Sequence, residues 1–294
     1  MFSLFSQASD VEFVFEVSFK FISGTDMVGV CLKGFNIGRF LFLPGRKVFG
    51  VLIESELNPM VLERIASLGL KHGVLVPTMQ YNMVEDGKIV GLGFVDLTDA
   101  DVSMEEFAEE IRRIDGIRSV QILYPTAEGF VADYLSARLV LAGDRTIIMR
   151  RPGYEGLIVG IKTQFGTAGE TFLYHTGYEA GMRYGRAHQE FADKLGIKDP
   201  IQILRKISVP LYASMGLGRL EVVEACVESP RVVIKVYMCF ECELGVEAKK
   251  PYSNFVRGIF AGLLAQLLNK RMEARELRCI AKGDPYCEFE IIPE

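Results

Sequence analysis

Four of the six cysteines lie between residues 239 and 287, and their spacing is the clearest chemical signal in the chain. Cys239 and Cys242 form a C-x-x-C pair, which is a common metal-binding spacing. Cys279 and Cys287 flank a turn at residues 282–285, so a hairpin can bring both thiols to one ion. Zinc commonly takes four Cys, His or carboxylate ligands in a tetrahedron. Three interpretations stay open: a metal site, a redox pair, or small residues buried in a core.

Motifs for other chemistry are missing from the sequence. There are three histidines, and no nucleophile elbow, zincin motif or paired-carboxylate arrangement is present. No glycine loop is followed by Lys-Ser/Thr, and no G-x-G-x-x-G follows a strand, so no nucleotide cofactor is expected. The sequence therefore predicts a protein that is not an enzyme.

Composition limits the function classes further. With 49% hydrophobic and 24% charged residues among 294, the chain is too apolar to be disordered and long enough for two domains. The net charge of −5 and the scattered basic residues argue against direct nucleic-acid binding. The N-terminus lacks a secretory signal pattern, and the apolar run at residues 255–268 is too short for a membrane span. We therefore expect a cytoplasmic protein with no membrane span and with reduced or metal-bound thiols.

The first half reads as two segments. Residues 1–44 are predicted to form strands that pack on either domain, because apolar side chains recur at every second position, namely Phe13, Phe15, Val17, Phe19 and Phe21. Residues 45–124 follow a β-α-β-β-α-β order, which predicts a split βαβ sandwich.

Local signals mark the two helices of this sandwich. Asn58-Pro59 predicts the start of the first helix and Gly69 its end, with Leu62, Ile65 and Ala66 on the buried face. The capping box at residues 103–106 predicts the start of the second.

The second half, residues 125–294, has a different pattern. A long helix is predicted for residues 166–195 and another for residues 253–268. Strands are predicted at residues 209–213, 220–227 and 232–242, and a closing hairpin at residues 273–280 and 286–292. Gly177, Gly181 and Gly185 recur every four residues, as do Gly258 and Gly262. Such faces indicate either tight helix packing in a dimer or contact with a ligand.

Three stretches of this half resemble the 4-vinyl reductase (4VR) family, also called hydrocarbon-binding proteins. They are residues 177–185, residues 252–264, and the run Glu-x-x-Cys-x-x-x-Gly-Asp-x-x-Cys-x-Phe at residues 276–289. The resemblance covers roughly residues 127–294. It implies an α/β fold shared with TRAPP-type trafficking subunits, in a dimeric sensor or carrier with an internal apolar pocket. In some bacterial relatives this domain binds aromatic effectors and controls an attached activator.

Residues 45–124 resemble an ACT-type regulatory domain by topology. The fold class is therefore α+β with two domains, an ACT-like sandwich followed by a TRAPP-like 4VR domain with antiparallel strands packed on helices. The ACT resemblance implies oligomerisation or a second ligand. Its ligand site would be the loop at residues 54–59, which lacks the Asp-x-Pro-Gly sequence common in amino-acid binders.

The 4VR resemblance also implies a zinc site. Glu276 matches the carboxylate ligand of the family, but Ser253 stands where the family has a cysteine. The C-x-x-C pair offers a substitute, so the predicted metal ligands are Cys239, Cys242, Glu276, Cys279 and Cys287. Residues three apart on a regular strand face opposite sides, so Glu276 and Cys279 require a bulge or a strand end.

The implied apolar pocket would be lined by aromatic and aliphatic side chains of the helices and the region between them. The predicted lining residues are Phe165, Phe172, Tyr174, Tyr178, Tyr212, Phe255, Ile259 and Phe260. Plain core packing is the competing interpretation for each of them.

The leading hypothesis is a non-enzymatic, homodimeric sensor with an apolar or aromatic effector in the 4VR-like domain. Because no helix-turn-helix is recognisable, a transcriptional role would need a separate transcription-factor partner. Two alternatives stay open: a protein–protein scaffold that uses a TRAPP-like dimer surface, and an enzyme acting on an apolar substrate.

Overall fold

A computed structural model of the protein describes residues 36–85 and 87–294. The strands predicted before residue 36, and Cys31, lie outside the described residues. The chain divides into two compact units, Met1–Thr146 and Ile147–Glu294. Residues 130–132 pair with residues 40–42, which joins the segment after residue 124 to the first unit.

The first unit contains eight described strands and two helices. They are β1 (Phe40–Phe42), β2 (Val48–Glu56), α1 (Pro59–His72), β3 (Leu75–Glu85), β4 (Lys88–Asp96), α2 (Met104–Arg112), β5 (Ile117–Leu123), β6 (Phe130–Ala132), β7 (Leu139–Leu141) and β8 (Asp144–Thr146).

The β-α-β-β-α-β order predicted for this unit is observed from β2 to β5. The strands form an antiparallel sheet in the order β3-β4-β2-β5. Both helices begin where the sequence places them. Asn58 accepts a hydrogen bond from the Met60 N–H, and the Ser103–Glu106 capping box is formed in both directions. Helix α1 runs about one turn past the predicted end and stops at Gly73, whose φ of 67° favours glycine.

The second unit consists of helices packed on a second antiparallel sheet. Its elements are α3 (Arg151–Lys194), α4 (Pro200–Ile203), a π-helical turn (Leu204–Ser208), α5 (Val209–Ser214), β9 (Arg219–Cys226), β10 (Arg231–Tyr237), α6 (Phe240–Glu243), a 3₁₀ turn (Val246–Ala248), α7 (Phe255–Leu268), β11 (Met272–Arg278), a 3₁₀ turn (Ile280–Lys282) and β12 (Cys287–Pro293). The sheet order is β11-β12-β10-β9. The α+β architecture expected from the sequence is confirmed.

Two predicted strands are wrong in part. Residues 209–213 form helix α5, because they continue a helical run in which Ile203, Leu204, Ile207 and Tyr212 are buried at helical spacing. The strand predicted to reach Cys242 ends at Tyr237. Met238 takes a left-handed φ of 55°, and residues 240–243 turn into α6.

Helix α3 is longer than predicted and bends within its length. It begins at Arg151 rather than at Gly166, and Gly166 has the non-helical angles φ 54° and ψ −131°. Residue 166 therefore separates a first segment from a second one that runs to Lys194. Helix α7 is buried along most of its length. Among the described residues, no helix combines the length and apolar character that crossing a membrane requires.

Helices α3 and α7 approach until their backbones touch, and glycines make this possible. A Cβ on Gly181 would overlap the Ile259 carbonyl oxygen, and one on Gly262 would overlap the Tyr178 carbonyl oxygen. Gly177 and Gly258 have equally close backbone neighbours. The glycine spacing thus reflects tight packing between two helices of one chain, not the predicted packing across a dimer.

We expect Gly181→Ala to destabilise the second unit by about 2 kcal/mol or more, because the added methyl group forces two rigid backbones apart. Gly160→Ala is the matched control, since it lies in the same helix and no described atom comes within 4 Å of its Cβ position. That change should stabilise the helix by up to about 1 kcal/mol. Urea unfolding monitored by circular dichroism measures both, and equal effects would contradict the packing argument.

Candidate metal centre at the start of helix α7

Four potential metal ligands of the second unit converge on one point. Cys242 comes from α6, Glu276 from β11, Cys279 from the residue after β11, and Cys287 from the first residue of β12. One ligand atom of each lies within 4.8 Å of the other three. The three cysteines are fully buried.

The hairpin between β11 and β12 positions three of these groups. A register shift between Glu276 and Arg278 supplies the irregularity needed for Glu276 and Cys279 to face the same place. Beyond it, the Asp284 carboxylate accepts the Cys279 N–H at 2.8 Å and holds the tight turn. The turn ends at Gly283, whose φ of 100° requires a residue without Cβ.

The donor set fits zinc. Sulfur–metal bonds of about 2.3 Å in a tetrahedron place neighbouring sulfurs about 3.8 Å apart, so donors within 4.8 Å need only a small contraction. Three thiols with one carboxylate form a soft, four-ligand set of the kind found in closed structural sites. These residues would hold the ion, which would cross-link α6 to the β11–β12 hairpin.

Without a cation, the cluster cannot carry all its negative charges. Burial and the nearby Cys279 raise the pKa of Glu276 to about 8. Hydrogen bonds from Cys242 and Cys287 lower the pKa of Cys239 to about 6, and the pKa of Cys242 is raised because it donates to Cys239. A divalent cation would displace these protons and remove the repulsion.

Cys239 and Ser253, the other residues singled out from the sequence, lie beside the four donors. Cys239 is buried one residue before α6, hydrogen-bonded to the thiols of Cys242 and Cys287, and is not part of the group of four. Ser253 is also buried, and its N–H donates to Glu276 Oε2 at 3.2 Å. Its hydroxyl accepts the Arg257 N–H at 3.2 Å. Ser253 thus caps α7, while Cys242 supplies the additional thiol.

Glu241 is the residue that sequence reasoning missed. Its carboxylate is fully buried and accepts three backbone N–H groups at the start of α7, from Asn254 at 2.9 Å, Phe255 at 3.2 Å and Val256 at 2.8 Å. The first N–H groups of a helix find no partner inside the helix, and an anion beside them is favoured by the helix dipole. The available signal was an acidic residue between the two cysteines of the C-x-x-C pair.

Lys162 supplies the counter-charge for Glu241. Its ammonium group lies 3.1 Å from Glu241 Oε1 and 3.5 Å from the centroid of the Tyr252 ring. It also donates to the Tyr252 carbonyl oxygen. Because Lys162 lies before the bend at Gly166, this ion pair ties the first segment of α3 to the metal-binding region.

The residues predicted to line an apolar pocket separate into three groups. Phe165 and Phe172 are largely exposed, at 66% and 60%, so they do not line an internal pocket. Half-buried positions on α3 and α7 are occupied by Tyr174, Tyr178 and Phe255. The buried core contains Tyr212, Ile259 and Phe260.

Tyr212 differs from the other buried aromatic residues. Its ring lies 5.5 Å from that of Phe260, which in turn lies 5.2 Å from that of Phe289. Its hydroxyl is buried and has no hydrogen-bond partner among the described residues. Burial raises the pKa of this hydroxyl, and the nearby thiols of Cys239 and Cys242 raise it further. A buried hydroxyl without a partner is costly, so this atom marks a place where a polar group of a ligand would be stabilised.

Comparison with protein families identifies residues 232–293 as a vinyl-4-reductase (4VR) domain. This segment contains β10 to β12 and the four clustered ligands, so the family resemblance predicted from the motifs is confirmed.

Two uncharacterised proteins of Methanocaldococcus jannaschii are similar in sequence. One is 32% identical over 80 residues, covering 27% of this chain and 47% of the relative. The other is 28% identical over 122 residues, covering 42% and 65%. The matches therefore span about half to two thirds of these relatives.

Solved structures with a similar fold include the phenol-responsive sensory domain of the transcription activator PoxR with phenol. It is 16% identical, with a TM-score of 0.48, covering 54% of this chain and 82% of that one. A vinyl-4-reductase family protein from M. jannaschii is 22% identical, with a TM-score of 0.37, covering 51% and 84%. For the first unit, the ACT domain of a GTP pyrophosphokinase of Chlorobium tepidum is 16% identical, with a TM-score of 0.23, covering 26% and 99%.

We expect Glu241→Gln to destabilise the second unit by about 3 kcal/mol, because Lys162 loses its buried counter-charge and the α7 amides lose an acceptor. Hydrogen exchange of the α7 amides should accelerate accordingly. Glu243→Gln, on an exposed position of the same short helix, is the control and should change stability by less than about 0.5 kcal/mol. Similar exchange rates in both variants would contradict the capping role.

Proposed function

We propose that this protein is a non-enzymatic, zinc-containing sensor that binds an uncharged aromatic molecule in its second unit. The observation that carries the proposal is the Tyr212 hydroxyl, which lies among aromatic rings next to the thiol cluster and has no partner among the described residues. An aromatic effector with one hydroxyl or amine group would match this environment, because its ring packs on apolar side chains while its polar group pairs with Tyr212.

Zinc is proposed as a structural ion of this unit. The cluster of Cys242, Glu276, Cys279 and Cys287 supports this, as does its burial. When bound, the ion would supply a fixed positive charge and a cross-link. Glu276 would have two tasks, since one carboxylate oxygen accepts the Ser253 N–H while the other faces the thiols.

A binding role is favoured over catalysis by how the acidic groups are engaged. The Glu241 oxygens are used by the start of α7 and by Lys162, and Glu276 is held between Ser253 and Cys242. Neither carboxylate is left as a free base for a substrate. We propose that the protein acts as a homodimer and that effector binding is read out by a separate partner protein.

Purification without added zinc should yield about one zinc ion per chain, measured by plasma mass spectrometry. Cys279→Ala should reduce the metal content to near zero and lower the unfolding temperature, because the ion contributes folding free energy. Cys226→Ala is the control, since this partly exposed thiol on β9 lies outside the cluster. Wild-type protein without stoichiometric metal would refute the zinc proposal.

Tyr212→Phe removes the unpartnered hydroxyl and keeps the ring. We expect unchanged or slightly higher stability of the free protein, because a desolvated polar atom is lost. Binding of phenol, measured by calorimetry, should weaken about tenfold, which corresponds to about 1.4 kcal/mol. Tyr237→Phe, which removes the hydroxyl bonded to Glu221 on β9, should bind phenol as the wild type does. Equal phenol affinity in all three proteins, or no binding at all, would contradict the proposed effector site.

A further inference from the structure

We propose that the first unit binds an uncharged, apolar small molecule in a cavity between helix α1 and strands β3 and β4. The cavity has a volume of about 260 Å³ and is lined by side chains of the sheet, α1 and α2. It is independent of the effector proposed for the second unit, because all its lining residues belong to the first unit.

The sheet wall of this cavity is missing side chains at two neighbouring positions. Gly91 and Gly93 occupy the face of β4 that continues to the buried Val95, so both lie on the side covered by the helices. The Tyr81 ring takes the place beside Gly91, where a Cβ would lie 2.7 Å from Tyr81 Cε1. The space beside Gly93 stays open, since the nearest side-chain atom, Met79 Cγ, lies 3.9 Å from its Cβ position.

The helix wall is also formed by a face with small residues in its middle. The α1 residues that line the cavity recur at helical spacing and are Leu62, Ile65, Ala66, Gly69 and Leu70. This is the face that the sequence predicts to be buried in the core. In α1 only Val61 and Gly69 are buried, whereas α2 buries four residues against the same sheet. Helix α1 therefore lies over a void that its own side chains do not fill.

The lining defines the chemistry of the occupant. Among the described residues that line the cavity none is charged, and the Tyr81 hydroxyl is their one polar side-chain group. A charged ligand would lose its hydration without gaining a partner, so a zwitterionic amino acid is disfavoured. A dry apolar cavity of about 150 Å³ can bind benzene, so this larger one accommodates about one or two fused rings or a short alkyl chain.

The test uses the full chain and naphthalene, an uncharged molecule without the polar group that the effector site of the second unit would require. Binding is followed by the NMR signals of the methionine methyl groups, because Met79 lines the cavity. Wild-type protein should show a saturable shift of the Met79 signal. Gly93→Val fills the open space from the sheet side with a residue that favours strands, and should weaken naphthalene binding at least tenfold.

Gln121→Val is the matched control, because it places the same side chain on β5 at an exposed position outside the cavity. It should bind naphthalene as the wild type does. Ala66→Leu fills the same cavity from the helix and replaces Gly93→Val if that variant does not fold. The proposal is overturned if naphthalene leaves the Met79 signal unchanged in the wild type, or if both filling variants bind it with wild-type affinity.

Discussion

The second unit depends on how the first amide groups of helix α7 are satisfied. This helix is buried nearly all round, so water cannot serve its N-terminus, and four successive N–H groups, those of residues 253–256, donate to the carboxylates of Glu241 and Glu276. Each carboxylate adjoins a part of the thiol cluster. The start of α7 and the candidate metal centre are therefore one electrostatic arrangement, in which helix dipole, ammonium group and cation all offset buried negative charge.

Helix α3 is attached to this arrangement at two places by different interactions. Before the bend at Gly166, the ion pair of Lys162 with Glu241 holds it at the α7 terminus. After the bend, glycines allow its backbone to lie directly against α7. Because backbone contacts of this kind tolerate no added atom, the position of α3 along α7 is fixed, and with it the aromatic residues Tyr174 and Tyr178 that α3 carries.

The two units differ in how well their helices fill the space on their sheets. Helix α7 packs on its sheet with ten buried residues, while α1 in the first unit has two. Local signals predicted the starts of α1 and α2 correctly, since a cap depends on neighbours within three residues. The same signals failed at residues 209–213, where a short apolar run fits either a strand or a buried helix and length alone decides.

By itself, the sequence determined most of the order of strands and helices in both units, the 4VR resemblance and the group of residues able to bind metal. These properties follow from periodicity, caps and motif spacing, which are local. Only the tertiary structure decided which thiol joins Glu276, that Glu241 serves α7, and that Gly91 and Gly93 leave a cavity rather than a turn. Each of these outcomes depends on residues from separate elements meeting in space, and their distances are set by packing that no spacing along the chain encodes.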